Sequence, residues 1–225
     1  MIEFKNVFIQ YTPEFFSLYD FNCSIDRQTL FIGDFFNGTN SIMRILSKID
    51  KNYSGDVIID NINIKKIKDK NLAITYLPET PALFIQKSLL KNLYYPLKIR
   101  KISKNKAKNM VFDLFFELKN KNLNIFEKYI SPDSNIPFEE SIHKTLFLKA
   151  KKLTFSEKKI ITLIRAILRN PRYLLLENFF ENLDVQHVEI VEFLLNKLSK
   201  KTTIIACEKK TNNQDLFKDF KVLIL

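Results

Sequence analysis

The sequence predicts an α/β protein in which a mixed sheet is flanked by helices, and two stretches carry that prediction. In the first, a short apolar run over residues 29–32 (TLFI) leads through GDFFNG into Ile42, Ile45, Leu46 and Ile49, apolar positions at helical spacing. In the second, Ile160, Ile161, Ile164, Ile167 and Leu168 fall on one face of a helix. Asn170-Pro171 ends that helix because proline cannot continue it. Residues 173–176 then give a continuous apolar run closed by Glu177, the pattern of a parallel strand buried on both faces. Ligands in open α/β sheets bind at the carboxyl ends of such strands.

In chain order, residues 2–11 and 18–25 read as two strands split by a turn at Thr12-Pro13, with Tyr11 closing the first. Residues 29–32 are the third strand, followed by the stretch 33–41 and a helix. Strand, glycine loop and helix form the setting of a phosphate-binding P-loop, and Gly33, four residues, then Gly38 has its spacing. That pattern continues with Lys and then Ser or Thr, whereas this chain carries Thr39 and Asn40, with Ser41 one place late. Ser54-Gly55-Asp56 turns into a strand over 57–59, and residues 72–77 form the next. From 80 to 152 the character changes to lysine-rich helical patterns such as 107–118, with a poorly patterned stretch near 131–140. Beyond it, Thr154 with Glu157 three residues on is a capping box that starts the helix of the opening argument. Asp184 can cap a helix with Val188, Val191, Leu195 and Leu198 on its apolar face, and residues 202–207 and 222–225 supply the last strands.

Composition bounds the alternatives. At 225 residues and 46% hydrophobic content the chain can bury one good core, or a core plus a small subdomain. No apolar run reaches the roughly 18 residues of a membrane-spanning helix, and the start lacks a signal-peptide layout, so a cytoplasmic chain is expected. The two cysteines, Cys23 and Cys207, lie in apolar runs without metal-like spacing and read as buried thiols. His143 and His187 read as surface residues. The net charge of +11 suits a solvated basic surface, acidic lipid headgroups or nucleic acid. The basic cluster at 98–108 reads as a solvated helix face, with attraction to anionic lipid of about 1 kcal/mol per residue as the alternative. Three glycines, Gly33, Gly38 and Gly55, stand against a usage of roughly 7%, so each marks a position that cannot take a Cβ.

The ordered set of motifs resembles the nucleotide-binding domain of ATP-binding cassette (ABC) transporter ATPases, a P-loop NTPase fold. Leu153, Arg165, Ala166, Asn170, Pro171, Leu183 and Asp184 match the family's run from signature motif to Walker B strand and D-loop. Ser54-Gly55-Asp56 resembles its S-G-E-V turn, and residues 92–103 resemble the opening of its helical subdomain. The resemblance implies a P-loop ATPase-like core over 1–78 and 153–225, an inserted helical subdomain over 79–152, and ATP with Mg2+ as ligands. It places Tyr11 where an aromatic stacks on adenine, an ordinary strand-end tyrosine being the alternative. It places Gly33, Asn37, Gly38, Thr39, Asn40 and Ser41 at the phosphates and Ser156 in the signature. Glu177 falls at the Walker B acid, where it could hold magnesium through water, and Glu79 at the metal-contacting Q-loop glutamine. Asn178 falls at the catalytic glutamate and Glu208 at the switch histidine.

Chemistry is where the chain departs from the family. Phosphoryl transfer in P-loop enzymes rests on positioning and electrostatic stabilisation. Thr39 removes a cation from the phosphates, where a charge-assisted hydrogen bond contributes roughly 1.5 to 3 kcal/mol. Asn178 cannot accept a proton at neutral pH, and loss of a general base costs about 10²- to 10⁴-fold. Glu208 adds negative charge beside an anionic substrate, and Phe155 replaces a signature glycine. The expectation is a pseudo-ATPase with weak or lost ATP and Mg2+ binding. It is a peripheral subunit on the inner face of the membrane, docked on an integral membrane permease through residues around 79–100 and forming a homo- or heterodimer with an ABC ATPase subunit. Two other readings remain open: a working but divergent transport ATPase in which Glu177, Glu79 or Glu208 takes over, and a soluble nucleic-acid-associated ABC protein, which the single domain disfavours.

Overall fold

The computed structural model describes residues 1–12, 14–33, 38–121, 123, 138–209 and 217–225. Its contacts form two compact units. The first comprises Met1–Glu79, Pro171–Glu181 and Ser199–Leu225, and the second Thr80–Asn170 and Asn182–Leu198.

The first unit holds both sheets. Strands β1 (Ile2–Thr12), β2 (Phe15–Ile25), β4 (Ser54–Ile59) and β5 (Ile62–Asn63) form an antiparallel sheet in the order β2-β1-β4-β5. Strands β3 (Thr29–Ile32), β6 (Ile74–Leu77), β7 (Tyr173–Glu177), β8 (Thr203–Glu208) and β9 (Lys221–Ile224) form a parallel sheet in the order β6-β7-β8-β3-β9. The parallel and antiparallel strands expected from the sequence therefore belong to two sheets. Tyr173, Leu174, Leu175 and Leu176 are all buried, as a parallel strand covered on both faces requires. Register aligns the carboxyl ends: Leu77 pairs with Leu176, Glu177 with Cys207, and Glu208 with Ile32.

Helix α1 (Thr39–Leu46) starts at Gly38, whose φ of +81° is left-handed. A Cβ there would lie 2.3 Å from the Ser17 carbonyl oxygen, so the position admits only glycine. Gly55, also at +81°, would put a Cβ 2.1 Å from the Asn6 carbonyl oxygen. Ile42, Met43, Ile45 and Leu46 share one core cluster with Phe31, Leu175 and Ile205 of the parallel sheet and Phe4, Val7 and Val57 of the antiparallel one. Both sheets thus hold the helix that follows the glycine loop. The helix is shorter than its apolar spacing suggested: it stops at Leu46, Lys48 turns left-handed at φ 61°, and Ile49 is exposed.

The second unit is helical, with α2 (Leu89–Ile99), α3 (Lys104–Asn120), α4 (Phe138–Leu146), α5 (Phe155–Arg169) and α6 (Val185–Ser199). Buried Asn92 fixes the entry to α2, its amide bonding the N–H and carbonyl of Phe84 at 2.9 and 3.2 Å and the Ser88 carbonyl at 3.0 Å. The poorly patterned stretch lies outside the described residues until α4 opens at Phe138. His143 is exposed, but His187 corrects the surface expectation: it is buried on α6, with Nδ1 3.3 Å from Asp184 Oδ2. Its burial follows from lying three residues before Ile190, one turn along the packed face of α6.

Candidate functional site

Four parallel strands of the first unit bring their carboxyl ends level, and the residues just past them face one another. Gly33 N–H donates to the Glu208 carbonyl at 3.2 Å, tying the start of the glycine loop to the end of β8. Asn178, at a left-handed φ of 41°, turns the chain away from β7 while its N–H donates to the Cys207 carbonyl at 2.8 Å. Its buried amide Nδ2 donates to Glu79 Oε2 at 3.0 Å. Glu208 is 5% exposed, and its Oε1 accepts the N–H groups of Phe179 and Phe180 at 2.8 and 3.4 Å. The carboxylate expected from the sequence at the switch position therefore caps the turn leaving β7. Glu177 Oε2 accepts the Tyr76 hydroxyl, and burial followed by that bond pushes the phenol's pKa well up, so the proton stays on Tyr76.

On α1, Thr39 is 1% exposed and Cys207 Sγ lies 3.7 Å from Asn40 Oδ1. Burial above all pushes the Cys207 thiol up to about 12, so it is inert as a nucleophile at neutral pH. Ser41 is buried with its hydroxyl 2.7 Å from Ser17 Oγ and 2.9 Å from the Tyr11 hydroxyl. Tyr11 also donates to Asp50 Oδ2 at 2.6 Å, and Arg44 binds the same carboxylate through two bonds of 2.9 Å. The Tyr11 ring is half exposed while its hydroxyl is anchored to the helix after the glycine loop. Gly38 gives α1 no side-chain cap. Asn37 lies outside the described residues.

In the second unit, α5 begins with the expected capping box, Thr154 Oγ1 accepting Glu157 N–H at 3.3 Å and Glu157 Oε2 accepting Thr154 N–H at 2.7 Å. Ser156 is buried, its hydroxyl donating to the Asn182 carbonyl at 3.3 Å and accepting Asp184 N–H at 2.9 Å. Lys159 is buried with its ammonium 5.1 Å from the Phe155 ring centre.

No protein-family model matches the chain. It is 25% identical over 214 residues to the methionine import ATP-binding protein MetN 1 of Oenococcus oeni, covering 91% of this chain and 55% of that protein. It is 29% identical over 171 residues to the tungstate uptake system ATP-binding protein TupC of Peptoclostridium acidaminophilum, covering 75% and 68%. Over 173 residues it is 26% identical to the molybdate/tungstate import ATP-binding protein WtpC of Pyrococcus abyssi, covering 76% and 44%. The chain thus spans 55% of the Oenococcus relative and 44% of the Pyrococcus one. A solved dimeric ATP-binding cassette in a post-hydrolysis state, bound to ADP and Pi, superposes with a TM-score of 0.76 over 100% of this chain and 94% of that one, at 20% identity. The chain has the ATP-binding cassette ATPase fold.

Within the ABC frame, the groups present fit a phosphate better than a metal. The N-terminus of α1, opened by Gly38 without a side-chain cap, suits an anion. Magnesium is another matter: Ser41 is bonded to Ser17 and Tyr11, and Glu177 already accepts from Tyr76. Among the described residues, no group of three or more His, Cys, Asp or Glu side chains could hold a metal ion. Two residues at the strand ends escaped the sequence reading, Lys209 and Glu181, whose side chains meet at 2.9 Å. The signal for Lys209 was its place as the first cation after a parallel strand.

Proposed function

We propose that this ABC domain is a pseudo-ATPase: a subunit of a membrane import system that keeps the cassette frame, binds ATP and Mg2+ weakly or not at all, and hydrolyses little. The observation that carries this reading is that three residues at catalytic positions are built into the fold. Thr39 is buried, Asn178 is bonded to Glu79, and Glu208 caps the backbone of Phe179 and Phe180. None supplies the cation, proton acceptor or imidazole that phosphoryl transfer uses in this family. Ser156 adds to this, its hydroxyl satisfied by the 182–184 segment.

The subunit docks on an integral membrane permease at the inner face of the membrane and pairs with an ABC ATPase subunit, itself or another. Support for docking comes from Phe84, Ile85, Tyr95 and Ile99, exposed apolar residues within 79–100, inside the helical subdomain taken as 79–152. The import roles in the names of the relatives support the transport setting. Among the described residues no helix is long and apolar enough to cross a membrane.

Two measurements test the reading. Thermal unfolding with ATP should show little stabilisation, and adding magnesium should not increase it; a large magnesium-dependent shift would count against it. Gentle detergent extraction should bring a permease down with the chain, and Phe84→Ser with Ile99→Ser should release it. Recovery of the chain free of any membrane protein would sink the docking half.

A further inference from the structure

Lys209 is the first residue past β8, and its ammonium lies between two carboxylates, 2.9 Å from Glu181 Oε2 and 3.8 Å from Glu79 Oε2. Glu79 in turn accepts from the Asn178 amide at 3.0 Å. One lysine thereby links the segments that follow β6, β7 and β8, at the strand ends where open α/β sheets bind their ligands. Its place relative to the glycine loop is also set. Ile32 pairs with Glu208, and Gly33 N–H bonds the Glu208 carbonyl at 3.2 Å, so Lys209 leaves the sheet beside the residue that opens the loop. The one basic residue of α1, Arg44, is held by Asp50 through two hydrogen bonds.

We propose that Lys209 is the phosphate-pairing cation of this site, restrained by Glu181 and Glu79 until a polyphosphate displaces them. The loop's lysine position is occupied by buried Thr39, so a polyphosphate at the N-terminus of α1 needs positive charge from elsewhere. Lys209 follows Glu208, whose carbonyl bonds the Gly33 N–H at the opening of that loop, and its side chain is 44% exposed. Ion pairs that exposed are weak and exchange readily. Glu181 raises the lysine's pKa, so the ammonium is fully charged at neutral pH. The two carboxylates then act as a gate: they compete with phosphate for one cation and repel the same anion. The inference rests on reading the start of α1 as a phosphate site.

Titration calorimetry with inorganic pyrophosphate and with ATP tests it on the whole chain. Lys209→Gln is expected to weaken both ligands about tenfold or more, the usual worth of a charge-assisted contact. Lys209→Arg is expected to stay within about threefold of the parent on the same grounds. Glu181→Gln is expected to act in the opposite sense and tighten binding, which loss of a merely structural ion pair would not do. Melting curves identify any variant that fails to fold, and if Lys209→Gln does, the sign of the Glu181→Gln effect decides. Unchanged binding in Lys209→Gln, weaker binding in Glu181→Gln, or no binding of either ligand by parent and Glu181→Gln overturns the proposal. Turnover of ATP by the parent would overturn the pseudo-ATPase reading alone, while an indifferent Lys209 would overturn this one alone.

Discussion

The Glu208 carboxylate accepts the Phe179 N–H at 2.8 Å, so the last residue of β8 clamps the turn that leaves β7. The bond is buried and charge-assisted, a kind that contributes about 1.5 to 3 kcal/mol. Glu208→Ala is expected to lower unfolding free energy by about 2 kcal/mol, and Glu208→Gln, which keeps an acceptor, by less. Urea denaturation checks this, and equal stability of Ala variant and parent would show that the clamp carries no weight.

Asn178→Glu restores, in name only, the residue that the proposed reading expects at this position. Its carboxylate would stand where the amide now meets Glu79 at 3.0 Å, and two like charges at that distance repel. The single variant is expected to melt lower and to gain no turnover; adding Glu79→Gln is expected to restore the melting temperature. Phosphate-release assays and melting curves on both would settle the point, and turnover gained by the single variant would refute it.

Ser41 illustrates the same displacement of role on α1. Its hydroxyl joins Ser17 of β2 to Tyr11 of β1. Ser41→Ala should destabilise the chain by about 1 to 2 kcal/mol through two lost hydrogen bonds, with little change in pyrophosphate affinity. A selective loss of affinity at unchanged stability would return Ser41 to the ligand site.

Asp50 gives a pH signature. The Arg44 hydrogen bond, against the opposing effect of burial and with help from the Tyr11 hydroxyl, holds the Asp50 carboxyl below its ordinary value. A depressed folded-state pKa contributes stability above the unfolded value of about 4, lost as pH falls through the folded one. Asp50→Asn should therefore be less stable than the parent at pH 6 to 7, about two units or more above that value, and the gap should close below about pH 4. A constant gap across that range would mean the ion pair does not titrate as described.

The frame was legible because it is written in local patterns. Buried strands β3 and β7, the Gly33–Gly38 spacing, the Thr154–Glu157 box and the Asn170-Pro171 stop each follow from near neighbours, and each lies where expected. The end of α1 was less so, since Ile49 keeps the apolar spacing after Lys48 has already turned left-handed. The contacts at the strand ends could not be read this way. Glu208 with Phe179, Asn178 with Glu79 and Lys209 with Glu181 join residues up to about a hundred positions apart, and only the sheet order brings them together. Burial of His187 was missed for a related reason, because a polar residue on a packed face leaves no apolar signal.

Steady-state phosphate release from Mg-ATP by the purified chain tests the central claim most directly. On the proposed reading, in which Thr39, Asn178 and Glu208 hold the cation, base and imidazole positions, the rate should fall at least about 10²-fold below the roughly 10 per second of a typical enzyme. A rate in that ordinary range, abolished by Asn178→Ala, would contradict the account.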